Sequence, residues 1–233
     1  MIPTISQVLS LIVLITVTSV VAIAPDSQFR LQTEVQGLPV PVQLGVMSRC
    51  PDALACESVF DQVWKEVGQQ KMNLSLIYVA RLNSTDKDFG VTCMHGPGEC
   101  AGNIQQLCVA KYATPSTWWN FIQCQNAHGR YRVGEPELTL QCAANVGFDW
   151  KSSEIGACAG LDVSGKGTEG IQLLRQSLLL GKALHIQKSC TVLINGKKVC
   201  VRDGTWDCDG GHDVEDFVEI INREYDKINE GVI

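Results

Sequence analysis

The stretch from Cys93 to Cys108 concentrates side chains that can do chemistry. It reads Cys-Met-His-Gly-Pro-Gly-Glu-Cys-Ala-Gly-Asn-Ile-Gln-Gln-Leu-Cys. Three cysteines can form or exchange disulfides, or bind zinc together with His95. Glu99 could act as an acid or base, although a carboxylate in a cysteine-rich loop more often caps a helix or accepts hydrogen bonds. We favour structural disulfides over zinc and expect no cofactor. The other histidines have no partner recognisable from sequence: His128, His185 and His212.

A second candidate site is Cys50, at the start of a predicted helix. Pro51 suits the first helical position, and Asp52 favours the positive end of the helix dipole. A cysteine at such an end has its thiolate stabilised by the dipole and by backbone N–H groups that lack helical partners, which favours nucleophilic chemistry. The helix then shows one apolar face: Cys56, Val59, Phe60, Val63, Trp64 and Val67.

The flanking elements predict an α/β fold. Strands are predicted at Val40–Met47 and Leu74–Ala80, followed by a disulfide-rich, mainly helical insertion over about 83–182 that carries no clear strand. Asn195-Gly196 predicts a hairpin turn, and an amphipathic helix closes the chain. This order is typical of a thioredoxin-like domain, which we place at residues 38–230.

The composition excludes some functions and indicates export. The net charge is −6 with no basic run, so nucleic acid is not an expected partner. Residues 1–24 are predicted to be a signal peptide that ends in an A-x-A cleavage pattern; an uncleaved membrane anchor is the alternative. Asn73 and Asn83 begin glycosylation sequons. The eleven cysteines suit an oxidising compartment, and their odd number leaves at least one thiol unpaired.

The segment Cys93–Cys108 resembles the signature of the gamma-interferon-inducible lysosomal thiol reductase family, C-Q-H-G-x-x-E-C-x-x-N-x-x-x-x-C. Seven fixed positions match, and Met94 stands where the family has Gln. The resemblance implies a thioredoxin-like fold and reduction of protein disulfides by a C-x-x-C pair at the start of the first helix. Cys50 takes the attacking position, but Ala53 stands where the resolving cysteine would be.

Two cysteines are candidates to resolve the reaction. Cys190 aligns with the cis-proline that thioredoxin-like proteins carry before their hairpin, so we predict that it lies beside Cys50. The two would form either a redox pair or a permanent bond; pairing of Cys190 with Cys200 is a third option. Cys56 lies about 9 Å along the helix from Cys50, beyond the roughly 7 Å Cα separation that a disulfide allows. We interpret Cys56 as a small buried hydrophobe, unless a later helix start brings it within reach.

The remaining eight cysteines are predicted to form structural disulfides. The six in the insertion would make three bonds of undetermined connectivity, and the last two would pair locally. This leaves the odd thiol among Cys50, Cys56 and Cys190. The eight are Cys93, Cys100, Cys108, Cys124, Cys142, Cys158, Cys200 and Cys208.

These observations predict a thiol–disulfide oxidoreductase of the secretory pathway, either secreted or delivered to a lysosome- or vacuole-like compartment. Its partners would be disulfide-containing proteins and a small or protein thiol as reductant, with no membrane association after signal cleavage. The alternative is a secreted, disulfide-stabilised binding or structural protein that keeps the fold without redox turnover.

Overall fold

The computed structural model describes residues 37–230; the predicted signal peptide at residues 1–24 lies outside them. The strands are β1 (Val40–Val46), β2 (Met72–Tyr78), β3 (Arg81–Leu82), β4 (Val91–Thr92), β5 (Thr191–Ile194), β6 (Lys197–Asp203) and β7 (Thr205–Cys208). The helices are α1 (Pro51–Val67), α2 (Pro97–Tyr112), α3 (Pro115–Ala127), α4 (Pro136–Asn145), α5 (Glu154–Ala159), α6 (Thr168–Ala183) and α7 (Val214–Asn229). Among these helices, none has the length and apolarity that crossing a bilayer requires.

The central sheet has five strands in the order β2-β1-β5-β6-β7. β1 and β2 are parallel and are joined by the crossover helix α1, whereas the other neighbouring pairs are antiparallel. α1 begins where the sequence predicted, with Cys50 at the N-cap and Pro51 in the first turn. It buries Ala53, Cys56 and Phe60, which lie three or four residues apart on one face.

The second half of the domain is a hairpin followed by a helix. Asn195 and Gly196 form the tight turn, with φ angles of 51° and 75°. A β-bulge between Val192 and Leu193 shifts the register of the hairpin. The closing helix α7 packs on the same side as α1, because the rings of Phe217 and Phe60 lie 4.8 Å apart. This is the thioredoxin-like α/β fold that the sequence predicted.

The insertion between the two halves contains helices α2 to α6, as the pattern of the sequence indicated. It also contains a strand that the sequence analysis did not predict: β4 pairs with β3 through two residue pairs, Arg81 with Thr92 and Leu82 with Val91. Two residues per strand are too few to show the alternation of buried and exposed side chains by which a strand is recognised.

Candidate functional site

All eleven cysteines lie within the described residues 37–230, and among them only Cys50 is without a disulfide. It follows a tight turn that connects β1 to α1, here called the cysteine turn (Met47–Cys50), in which the N–H of Cys50 donates to the carbonyl of Met47 at 2.8 Å. The residue is 4% exposed. Its sulfur lies 3.8 Å from the carbonyl oxygen of Ser189, the residue directly before Cys190. The structure therefore brings Cys50 next to the segment that the sequence analysis placed beside it.

Cys190 is bonded to Cys56 and not to Cys50. The two Cα atoms lie 6.3 Å apart, within the range for a disulfide. The predicted Cys50–Cys190 bond is thus absent, and the interpretation of Cys56 as a simple buried hydrophobe was wrong. The physical reason is the direction of the side chains: Cys56 and Ala53 lie on the buried face of α1, towards the start of β5, whereas Cys50 caps the helix at its end. Cys190 follows a cis peptide bond.

The other eight cysteines form four disulfides. Those of the insertion join the loop before α2 to α2 itself, α2 to α5, and α3 to α4. The fourth crosses the β6–β7 pair, in which the two cysteines are directly opposed, so the alternative bond between Cys190 and Cys200 is not formed. The pairs are Cys93–Cys100, Cys108–Cys158, Cys124–Cys142 and Cys200–Cys208.

Residues of the Cys93–Cys108 stretch contact the cysteine turn. All four N–H groups of the turn have hydrogen-bond partners, and three of these partners are side chains from outside the turn. In chain order, Met47 N–H donates to Ser189 Oγ (3.0 Å), Ser48 N–H to Asn103 Oδ1 (3.0 Å), Arg49 N–H to Glu99 Oε2 (3.3 Å) and Cys50 N–H to the Met47 carbonyl (2.8 Å).

Glu99 is fully buried and acts as a hydrogen-bond acceptor. Its Oε1 accepts from the N–H of His95 at 3.2 Å, and its Oε2 lies 2.5 Å from His95 Nδ1 and accepts from Arg49 N–H. The Ser48 hydroxyl donates to the backbone carbonyl of Glu99 at 3.2 Å. Within the described residues, the carboxylate of Glu99 makes hydrogen bonds only with His95 of the loop and Arg49 of the turn. The sequence analysis singled out Glu99 and His95, but it did not reveal that Glu99 accepts a hydrogen bond from the turn that ends in Cys50.

Three arginines at the site were missed by the sequence analysis: Arg49 within the turn, and Arg130 and Arg202 next to it. Arg49 Nε donates to the carbonyl of Val133 at 2.7 Å, and Arg130 donates to the carbonyl of Arg49 at 3.0 Å. Burial lowers the pKa of Arg49, while Glu135 and Glu99 act to raise it. Arg202 forms an ion pair with Asp52 in the first turn of α1, at 2.9 Å. An isolated arginine in a sequence carries no spacing signal, so nothing in the pattern could have identified these three.

The zinc site considered for the Cys93–Cys108 stretch is incompatible with the disulfides of its cysteines. Cys93, Cys100 and Cys108 are all in disulfides and so do not offer thiolates beside His95. Elsewhere, Cys124, Cys142 and His128 converge within 4.8 Å, but these two sulfurs are also bonded to each other. Of the remaining histidines, His212 stacks on Trp206 at 5.6 Å.

An apolar groove lies beside the cysteine turn. It has a volume of about 370 Å³ and is lined by Met47, by residues 79–81 after β2, and by Thr92 and Met94. Met94, the one departure from the family signature, is 76% exposed. The groove is thus open to solvent next to the turn that ends in Cys50.

The two sequon asparagines differ in surroundings. Asn73 is exposed on β2, the edge strand of the sheet. Asn83 is half-buried, and its Nδ2 donates to Thr92 Oγ1 at 2.9 Å. Of these two asparagines, Asn83 makes a side-chain hydrogen bond that would compete with glycosylation, and Asn73 makes none within the described residues.

Comparison with solved structures identifies relatives in fold. BdbD from Bacillus subtilis (oxidised) aligns with a TM-score of 0.56 at 17% identity, over 80% of this chain and 88% of that one. The MdbA protein of Actinomyces oris, a thiol-disulfide oxidoreductase, aligns with a TM-score of 0.54 at 14% identity, over 81% of this chain and 82% of that one. The MdbA protein of Corynebacterium diphtheriae aligns with a TM-score of 0.52 at 17% identity, over 78% of this chain and 83% of that one. At these identities the likeness shows the fold alone.

Comparison of the sequence itself is more specific about the family. A search of curated protein sequences finds no match. The family model of gamma interferon inducible lysosomal thiol reductase (GILT) matches residues 41–146, which include both the cysteine turn and the whole Cys93–Cys108 stretch. In its signature and over residues 41–146, the chain is similar to the gamma interferon inducible lysosomal thiol reductase family, and it departs from the C-x-x-C motif in carrying Ala53 at the position of the second cysteine.

Proposed function

We propose that the protein reduces protein disulfides through a three-cysteine centre (Cys50, Cys56 and Cys190). The observation that carries the proposal is one unpaired thiol at the N-terminus of α1, with its sulfur 3.8 Å from the carbonyl oxygen of Ser189, the residue directly before Cys190 of the Cys56–Cys190 disulfide. A free thiol beside a disulfide is the arrangement from which thiol–disulfide exchange proceeds.

The first step uses Cys50 as the nucleophile. Its thiolate attacks one sulfur of the substrate disulfide and forms a mixed disulfide, while the other substrate sulfur leaves as a thiolate and takes up a proton. The N-terminus of α1 favours the negative charge on Cys50. Arg202 offsets the negative charge of Asp52 in this first turn, through an ion pair at 2.9 Å.

The second and third steps use the reduced forms of the other two cysteines. The thiolate of Cys190 attacks the sulfur of Cys50 and releases the second half of the substrate as a thiol. The thiolate of Cys56 then attacks the sulfur of Cys190, and Cys50 leaves as a thiolate. Two protein thiols have thereby supplied the two electrons, and the product is the Cys56–Cys190 disulfide seen in the structure. Two equivalents of an external thiol return this bond to the reduced form.

The proposed substrates are proteins, and the proposed compartment is secretory or lysosomal. The open apolar groove beside Met47 suits apolar residues next to a substrate disulfide. The family and the five disulfides fit an oxidising or lysosomal route. A cleaved signal peptide and a glycan at Asn73 are further parts of the proposal, which mass spectrometry of the secreted protein would test.

The decisive experiment compares wild type with Cys50→Ser in insulin-disulfide reduction at acid and neutral pH, with a thiol reductant present. We expect Cys50→Ser to reduce the rate to that of the reductant alone. The combined fluorescence of the five tryptophans provides a folding reference, because three of them, Trp118, Trp119 and Trp150, are buried in the core. Equal rates in wild type and Cys50→Ser would contradict the proposal.

A binding or structural protein without turnover is the second candidate. It is favoured by the burial of all three cysteines of the centre and by Ala53 at the resolving position. Reaction of the native protein with iodoacetamide distinguishes the two candidates. Labelling of Cys50 within minutes, with the Cys56–Cys190 bond still intact by mass spectrometry, supports the enzyme; no labelling without denaturant supports the structural protein.

A further inference from the structure

The cysteine turn depends on the insertion for its conformation. Within the turn there is a single backbone hydrogen bond, from Cys50 to Met47. Its two central N–H groups, of Ser48 and Arg49, donate to side chains of α2 that are 55 and 50 residues away in sequence. A short turn with so few internal bonds takes its geometry from the groups that its backbone contacts.

Asn103 and Glu99 are suited to fix this geometry. Both are 0% exposed, so water cannot replace the hydrogen bonds that their side chains would lose if the turn moved. Asn103 Oδ1 accepts from Ser48, and its Nδ2 faces the sulfur of Cys93 at 3.9 Å. Glu99 is itself oriented by two contacts with His95. The Cys93–Cys100 disulfide closes the loop that carries His95 and the start of α2.

The backbone of α2 lies unusually close to the turn. A Cβ atom at Gly102 would lie 2.9 Å from Ser48 Oγ and 2.7 Å from a methyl carbon of Val133, and one at Gly98 would overlap the guanidinium of Arg49. A side chain at Gly102 would therefore push against Ser48, whereas one at Gly98 would displace the flexible end of Arg49. The small residues permit the hydrogen bonds that Asn103 and Glu99 make.

We propose that Asn103 and Glu99 are positioning residues for the thiol of Cys50. They hold the backbone of Ser48 and Arg49 so that the sulfur of Cys50 stays beside Ser189 and the Cys56–Cys190 bond. The most specific stretch of the sequence thus acts on a cysteine that lies outside it. This inference rests on the proposed function for its catalytic consequence, but the restraint on the turn is a separate claim with its own measurement.

The test compares two isosteric substitutions on the same helix. Asn103→Leu removes the acceptor for Ser48. Gln105→Met is the matched control, since Gln105 is equally buried on α2 and also makes two hydrogen bonds, to Val163 and Thr139, neither of them near the turn. Asn103→Asp restores an acceptor oxygen at the same position. Each variant is measured for kcat and KM in insulin reduction, for thermal stability, and for amide hydrogen exchange at Ser48.

We expect Asn103→Leu to lower kcat by about 100-fold with KM changed less than about two-fold, because a displacement near 1 Å of a reacting group has effects of this size. Its Ser48 amide should exchange at least about ten times faster than in wild type. Asn103→Asp should recover most of kcat. Gln105→Met should leave kcat within about two-fold of wild type at a comparable loss of stability. Equal kcat values for Asn103→Leu and Gln105→Met, measured per folded molecule, would overturn the inference.

Glu99→Gln provides a second variant if Asn103→Leu does not fold. It keeps an acceptor oxygen but removes the charge, which roughly halves the strength of the bond to Arg49 N–H. We expect a five- to ten-fold loss in kcat from this change, as an order of magnitude; an unchanged kcat would count against the inference. If wild type itself shows no turnover that depends on Cys50, the proposed function fails, and hydrogen exchange at Ser48 still decides whether Asn103 restrains the turn.

Discussion

The insertion and the three-cysteine centre use cysteine in different ways. In the insertion six cysteines form three disulfides and none is left over. At the ends of the interior strands β1 and β5, three cysteines share one disulfide, and the unpaired one is the N-cap residue of α1. The first arrangement has no free thiol with which its bonds can exchange. The second has a free thiol beside a bond, so exchange within it is chemically possible.

The two regions also differ in what their disulfides connect. The insertion bonds span 7, 50 and 18 residues and stay within the insertion, whereas Cys56–Cys190 spans 134 residues and joins the two halves of the thioredoxin-like domain. A redox change at the centre therefore alters the connection between the halves, while the insertion remains cross-linked. The predictions that follow test this difference.

The largest effect is expected from removing the bond of the centre with the double variant Cys56→Ala and Cys190→Ala. Loss of a 134-residue loop closure should lower the free energy of unfolding by about 5 kcal/mol. Without its resolving cysteines, Cys50 should also accumulate as a mixed disulfide with substrate. Urea unfolding and mass spectrometry of the trapped species measure the two outcomes. Full multiple turnover in the double variant would show that an external thiol resolves the mixed disulfide instead.

The matched change in the insertion is the double variant Cys124→Ala and Cys142→Ala. This bond closes 18 residues, so its loss should lower the free energy of unfolding by about 3 kcal/mol. The rate of insulin reduction per folded molecule should equal that of wild type, because neither cysteine contacts the cysteine turn. A drop in rate as large as that of the centre variant would remove the distinction between the two regions.

Glu57 lies where the two regions meet and should make stability depend on pH. It is buried in α1, with Oε2 accepting from Asn126 of α3 at 2.6 Å and Oε1 without a hydrogen-bond partner. Burial raises the pKa of Glu57 from 4.5 to about 7, with Asn126 acting in the opposite direction. The folded protein thus retains a proton that the unfolded chain has released between these pH values.

The contribution of Glu57 to stability is therefore complete below about pH 4.5 and is lost as the pH rises through about 7. Glu57→Gln should remove this dependence and raise the free energy of unfolding by up to about 3 kcal/mol at pH 8, with little gain at pH 4. Urea unfolding of wild type and Glu57→Gln at pH 4 and pH 8 measures this difference in the free energy of unfolding. Parallel pH profiles for wild type and Glu57→Gln would show that the carboxyl ionises with an ordinary pKa.

The sequence predicted the parts of this molecule that depend on local patterns. Pro51 and Asp52 mark the start of α1, so the helix position of Cys50 followed from neighbouring residues. The Asn195-Gly196 turn followed from its own dihedral requirements. The family signature was recognised because its residues lie within one short stretch.

Two features of the site could not be predicted because they depend on packing between distant segments. The Cys56–Cys190 bond follows from the direction of the buried face of α1, which depends on how the helix rests on the sheet. The partners of Glu99 and Asn103 in the cysteine turn are backbone N–H groups, which every residue except proline carries, so no residue type marks them in a sequence. The signature therefore indicated which residues matter but not that they contact the turn before Cys50.

The smallest effect is expected at the contact between the two regions, from Gly102→Ala. The added methyl group would lie 2.7 Å from a methyl carbon of Val133 and 2.9 Å from Ser48 Oγ, so we expect both neighbours to shift, while alanine itself favours the helix by about 1 kcal/mol. We expect the thermal stability to change little and kcat to fall about three- to five-fold, since a shift well below 1 Å should have a fraction of the effect of a full displacement.

Gly181→Ala in α6 is the control for this change. It is also a helical glycine, but its Cβ would meet Ile77 at 3.2 Å and lies away from the cysteine turn. Its kcat should remain at the wild-type value whatever its stability. If Gly102→Ala and Gly181→Ala behave alike, the close approach of α2 serves only packing. If kcat falls in Gly102→Ala alone, the position of α2 controls the thiol, because the two variants add the same methyl group to the same type of backbone and differ only in what that group displaces.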